Sequence, residues 1–272
     1  MTTGIAATGE QAARRWRDPL ARAGLTAKGV IYGVLGLLAI QFARGKIASD
    51  EVSQQGAIEK VAEQPFGKFL LVALTVGLVC LTVWHAIQAA FGDPIEGEES
   101  ADRVKYAGKA VLYAALTFTA IKITADNWNG GGDQTTGGSE TNQQAAETLF
   151  DLPAGTLLVV VLGLALLGVA GYQIYKYVVN CDHMDRLASN NETLKTLGRV
   201  GYAARAVVVA LSGVFFIVAA AQHDPNNAKG ISGSLQALAD RTGGRLVLWL
   251  VAVGLFLFGV FCLAEAKLRR RS

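Results

Sequence analysis

The sequence predicts an all-α polytopic membrane protein: six transmembrane helices arranged as three parallel two-helix repeats with pseudo-threefold symmetry. Three observations carry that expectation. The first is composition. Of 272 residues, 51% are hydrophobic, 17% are charged and 31 are glycine, whereas a soluble domain carries about 25% charge and about 7% glycine. Charge this sparse cannot clothe a water-facing surface, so composition speaks against a soluble enzyme. The second observation is a series of six charge-free runs, and the third is a motif written three times along the chain. Cys80, Cys181 and Cys262 are too few and too dispersed for a disulfide scaffold.

Residues 1–21 are polar, with Arg14, Arg15 and Arg17 and no apolar run behind them until Leu25. They read as a retained cytoplasmic arm rather than a cleaved leader, with Trp16 at headgroup level. The charge-free runs follow: Gly29–Ala43, Phe69–Gly92, Ala110–Ile121, Leu152–Tyr175, Ala206–His223 and Leu246–Ala264. A hydrocarbon core of ~30 Å takes roughly 20 apolar residues. The first and third runs hold only 15 and 12. They become long enough if Lys28, Lys109 and Lys122 lie within the spans and snorkel to the interface. Lys and Arg number 17 on the side of the termini and 8 on the other. That excess places both termini in the cytoplasm.

The odd-numbered spans open alike: Arg22-Ala-Gly-Leu-Thr-Ala-Lys28-Gly-Val, Arg103-Val-Lys-Tyr-Ala-Gly-Lys109-Ala-Val and Arg199-Val-Gly-Tyr-Ala-Ala-Arg205-Ala-Val. The even-numbered spans answer with Pro65-Phe-Gly67, Pro153-Ala-Gly155 and Thr242-Gly-Gly244. Lys28 to Arg205 and Gly67 to Gly244 share one offset, 177 residues. The repeats are therefore residues 22–98, 99–180 and 181–267, closed by a basic tail at 268–272. Each enters from the same side, so the copies are parallel and related by an axis along the membrane normal. The outer connectors carry apolar residues at helical spacing at Gly56–Ala62, Gln144–Phe150 and Gly233–Ala239, which predicts short amphipathic helices on the outer interface. The glycine-rich stretch Asn127–Ser139 lacks the Lys-Ser/Thr ending of a phosphate loop.

Three tandem units of this form resemble the bacterial membrane family called domain of unknown function 1206. The resemblance runs from Arg22 to Lys267 and implies six-helix topology in a bacterial plasma membrane. It brings no assigned activity. The middle repeat departs from the pattern at Lys105, and the third lacks the proline at Thr242.

Lys28, Lys109 and Arg205 occupy one repeat position near the inner ends of the outward helices, where the helix dipole disfavours positive charge by ~0.3–1 kcal/mol. Read plainly, they set topology and touch lipid phosphates. Read functionally, they ring the axis and hold an anion or an acidic headgroup. Gln88, Lys176 and Glu265 share a second repeat position near the inner ends of the returning helices. Snorkelling is their simple reading, and a Lys176–Glu265 pair between helices is the alternative. His85 sits deeper, as a packed helix residue or a proton relay. Cys181-Asp-His183-Met-Asp185 lacks the second ligand pair of a zinc site, and no cofactor motif or nucleophile–base order is present. Stripes of Gly29, Gly33 and Gly36, of Gly163, Gly168 and Gly171, and of Gly254 and Gly259 favour close helix packing, within the bundle or against a partner.

The expected partners are the bilayer, acidic lipid and another membrane protein, with no nucleic acid and no cofactor. The expected function is non-catalytic: a scaffold or accessory subunit. A small channel or carrier along the pseudo-threefold axis, or a headgroup-binding protein, stands as the alternative.

Overall fold

The computed structural model describes residues 2–49, 51–64, 67–91, 100–129, 146–147, 155–184, 187, 191–240 and 243–269. Among these residues there are eight α-helices and no strand, only an isolated bridge between Leu187 and Arg269. In chain order they are α1 (Thr2–Ala43), α2 (Gln54–Ala62), α3 (Gly67–Phe91), α4 (Ser100–Asn129), α5 (Gly155–Gln173), α6 (Glu192–Gln222), α7 (Ile231–Ala239) and α8 (Gly244–Leu268). A π-helical turn, Ile174–Val179, prolongs α5.

Five segments are long and apolar enough to cross a membrane: Pro19–Ala43 in α1, α3, α5 with its π-helical turn, α6 and α8. They point to a multi-pass membrane protein. Their outer faces carry exposed Phe69, Val76, Leu157, Val161, Leu246 and Leu250, apolar surface that lipid would cover. The expected third span lies in α4. At 30 residues it is about 45 Å long, but Lys109 and Lys122 interrupt its apolar stretch and it is less apolar than the other five.

The long helices follow a cyclic order of contact. Each returning helix packs on the outward helix of the next repeat: α3 on α4, α5 on α6, α8 on α1. Within the first and third repeats, α1 also packs on α3 and α6 on α8. The middle hairpin differs, because no substantial contact joins α4 to α5 among the described residues. The six helices thus make a ring with one open seam.

Glycine sets the closeness of these contacts. A Cβ on Gly259 would strike the Gly33 backbone, and one on Gly36 would strike that of Phe256. Gly254 faces Ala204 between α8 and α6, and Gly163 faces Gly213 between α5 and α6. In lipid, where no hydrophobic drive joins helices, such backbone approach is the main packing term. Gly168 and Gly171 meet no neighbour.

The first and third expected connector helices are α2 and α7. The second, Gln144–Phe150, falls largely outside the described residues. Ser53 caps α2 by accepting from the Gly56 N–H at 2.9 Å. Ile58 of α2 and Leu235 of α7 are fully buried, so both helices pack down onto the bundle rather than floating on its surface. Gln54 donates to the Tyr32 hydroxyl at 3.1 Å, and the hydroxyls of Ser234 and Ser212 lie 3.2 Å apart. The chain turns out of α1 at Gly45 and into α8 at Gly243, both with φ above +70° (71° and 75°), a region that side chains resist.

Candidate functional site

On α6, Arg205, Val208, Val209, Ser212 and Phe216 recur at helical spacing and share one face; on α4, Leu112, Ala115, Leu116 and Thr119 do the same. These two faces wall a cavity of about 330 Å³ inside the ring. Tyr32, Leu166 and Leu255 complete the wall, and Gln54, Gln55, Gly230 and Ile231 from the connectors roof its outer end. The walls are mostly apolar. Their charged member is Arg205.

The guanidinium of Arg205 stands over the rings of Tyr32 and Phe258, at 5.6 and 5.5 Å. Lys28 places its ammonium over the same Phe258 ring, at 5.1 Å. Two repeat-equivalent cations thus share one aromatic ring and lie within reach of each other's charge. Neither makes a hydrogen bond or ion pair among the described residues, and the buried Arg205 Nε is unpartnered. The third member of the expected trio, Lys109, lies over Tyr106 of its own helix at 5.1 Å.

Phe258 is held edge-on by Tyr32 at 4.8 Å and Tyr202 at 4.9 Å, and Tyr202 stacks on Tyr177 at 4.1 Å. This aromatic cluster fills the interior beneath Arg205. Tyr113 and Cys262 also lie within electrostatic reach of the guanidinium. Nothing in the sequence marked Phe258 as the ring that two cations would share.

The second set of polar positions separates. His85 Nδ1 lies 2.8 Å from Gln88 Oε1, so the ring donates to the amide oxygen. His85 is also stacked between Trp84 at 4.7 Å and Tyr113 at 5.2 Å. This is the geometry of a packed, bonded core histidine. Glu265, 1% exposed, meets Arg269, the C-terminal cap of its helix, at 3.8 Å. Arg269 is seated over Trp84 at 4.7 Å, and its carbonyl accepts from Arg22 at 3.2 Å. Lys176 reaches over Tyr172 and Tyr177, at 5.7 and 5.9 Å, from the π-helical turn.

Sequence reasoning missed Gln173, which is buried with an unpartnered Oε1. Its signal was available: Gln173 stands in the repeat register of His85 and Cys262, and all three are buried. Around Cys181 no group of metal-binding side chains occurs among the described residues, while the side chains of His183 and Asp185 lie outside them.

The long apolar helices and the cavity that Arg205 lines point to a helical membrane protein built from three repeats. The chain belongs to the family Domain of Unknown Function (DUF1206), which matches residues 23–92, 104–178 and 200–269. It is similar to "Uncharacterized protein YxxB" of Bacillus subtilis (strain 168), with 26% identity over 264 residues, 94% of this chain and 92% of that protein. No solved structure matches the chain.

Proposed function

We propose that this is a plasma-membrane protein of six crossings, both termini cytoplasmic, that binds an anionic group in its central cavity and performs no chemistry on it. One observation carries the reading: Lys28 and Arg205, the latter in the cavity wall, converge on Phe258 with neither hydrogen bond nor ion pair among the described residues. A cation held against apolar protein without a hydrogen bond or counter-charge is costly. Cation–π contact returns about 0.5–2 kcal/mol each, and the two charges repel. The nearby carboxylate, Glu265, is already engaged by Arg269. A bound anion supplies the missing compensation.

The sixth crossing rests on how α4 is tied to α3. Thr124 faces Thr75 at 2.9 Å, Thr117 faces Thr82 at 3.0 Å, and Tyr113 stacks on His85. This antiparallel ladder to an apolar span supports a crossing by α4. Lys122 folds back over Phe118 at 5.2 Å, as a snorkelling lysine does. The cyclic order of helix contacts supports the pseudo-threefold arrangement, and the Lys/Arg excess supports the orientation. Against a channel stands the aromatic cluster beneath Arg205. The accessory-subunit reading keeps one support, the exposed and unpacked Gly168 and Gly171 on α5.

The test is thermal melting of the purified chain in a neutral maltoside detergent, with inorganic phosphate or dodecyl phosphate added. Ligand at a hundred times its Kd contributes about 2.7 kcal/mol, and each kcal/mol moves Tm by about 2–4 °C at this size. A rise of roughly 5 °C is expected with at least one of the two probes, and its loss in the Lys28→Gln/Arg205→Gln variant. No rise with either probe, or an equal rise in the variant, rejects the reading.

A further inference from the structure

The cavity's shape says more than its charge. It runs along the face of α6 from Arg205 to Phe216, about 16 Å of helix. Arg205 is the charged foot of this shaft; the walls above it are mostly apolar, interrupted by the hydroxyls of Thr119 and Ser212 and closed at the far end by Gln54 and Gln55. From Arg205 to the outer end of α6 at Gln222 is about 25 Å, so the guanidinium lies at the depth of one membrane interface and the shaft extends toward the other. A phospholipid in the leaflet on that side has the same profile, an anionic head at the interface and a chain reaching toward the midplane.

A soluble ion has no use for an apolar shaft, and a lipid needs a sideways door. The ring has one. Its open seam lies between α4 and α5, the helices that contribute Leu112, Leu116 and Leu166 to the cavity wall. Leu112 is a wall residue and yet 72% exposed, which places it at the mouth. The geometry points to a membrane lipid with an acidic headgroup as the ligand, entering sideways through the seam between α4 and α5. One acyl chain lies in the shaft and the headgroup sits on Arg205. This inference rests on the anion-binding reading above and names the class of ligand.

The experiment uses the full chain, extracted with phosphatidylglycerol and phosphatidylcholine in equal amounts and washed in neutral detergent. Native mass spectrometry then counts the lipid retained. One phosphatidylglycerol per chain and little phosphatidylcholine is the expected result. Arg205→Gln lowers the retained fraction at least about tenfold. So does Leu112→Trp, which obstructs the mouth without touching the cation and, being exposed, leaves the fold intact as read by an unchanged Tm without lipid. Parallel melting with inorganic phosphate separates the two ideas. If phosphate alone stabilises the chain through Arg205 while phosphatidylglycerol retention ignores Leu112→Trp, anion binding stands and the lipid slot is overturned. Equal retention of both lipids also overturns the slot. If neither phosphate nor phosphatidylglycerol binds, both readings fall together.

Discussion

Arg269 illustrates how a single side chain can hold an end of this bundle together. Its guanidinium meets the buried Glu265 carboxylate, covers the Trp84 ring, and its own carbonyl takes a hydrogen bond from Arg22, so α8, α3 and α1 are tied at one point. Removing one member of a buried ion pair strands the other at a cost of about 3–5 kcal/mol, while replacing both is far milder. Arg269→Gln is therefore expected to lower stability by about 3 kcal/mol. Adding Glu265→Gln should recover more than half of it in the same melting assay, and a double variant as unstable as the single would refute the stranded-charge account. Exposed pairs behave otherwise. Glu63 accepts from Lys60 at 2.6 Å and holds that ammonium above its ordinary pKa of 10.5, so any contribution is present below that pH and fades as pH climbs past the raised value. Both side chains stand largely in water, where such pairs contribute about 0–1 kcal/mol. Lys60→Gln should leave the melting curve unchanged at neutral pH.

Among the elements, glycine divides the helices into those already packed and those with a free face. A methyl group on Gly36 or Gly259 collides with the backbone of the facing helix, which cannot retreat as a flexible side chain would. Overpacking of this kind costs about 1–3 kcal/mol, so Gly36→Ala and Gly259→Ala should each lower Tm. Gly168→Ala meets open space, and by helix propensity alone should be neutral or slightly stabilising. An equal loss at all three positions would mean the α1–α8 contact is looser than described. Helix α4 invites a sharper test, because its length and its ladder to α3 argue for a crossing that its modest apolarity does not advertise. Single cysteines at Ala107 and Trp128, about 30 Å apart along the helix and both exposed, should react with an impermeant maleimide from opposite sides of the membrane in a chain otherwise free of cysteine. Labelling of both from one side would remove α4 from the spans.

For the molecule as a whole, much of the cavity was written in the repeat. Counting from the repeated cation, the third, fourth and seventh positions are Ile31, Tyr32 and Leu35, then Leu112, Tyr113 and Leu116, then Val208, Val209 and Ser212. Leu112, Leu116, Val208, Val209, Ser212 and Tyr32 of that set line the cavity. A helical period and a threefold register were enough to point those residues at the axis. What the register could not convey is where the symmetry fails. The copies are alike in sequence, yet α4 and α5 stay apart while their counterparts touch, and Lys109 turns to Tyr106 while Lys28 and Arg205 share Phe258. The Glu265–Arg269 pair was equally hidden, since it joins the last turn of one helix to its own C-terminal cap at the edge of the repeat rather than across the interface where repeat arithmetic looks.

The broad contact between α1 and α8 carries a further implication for biosynthesis. Of the helices described, α8 leaves the ribosome last, and domains ordinarily assemble as their segments emerge. Until Phe258 arrives, Lys28 lacks the aromatic face that shelters it, Arg205 has only that of Tyr32, and Gly29, Gly33 and Gly36 have no mate. A nascent chain stalled before α8 would thus hold two poorly sheltered charges and a sticky groove beside them, a form that quality-control proteases should clear quickly.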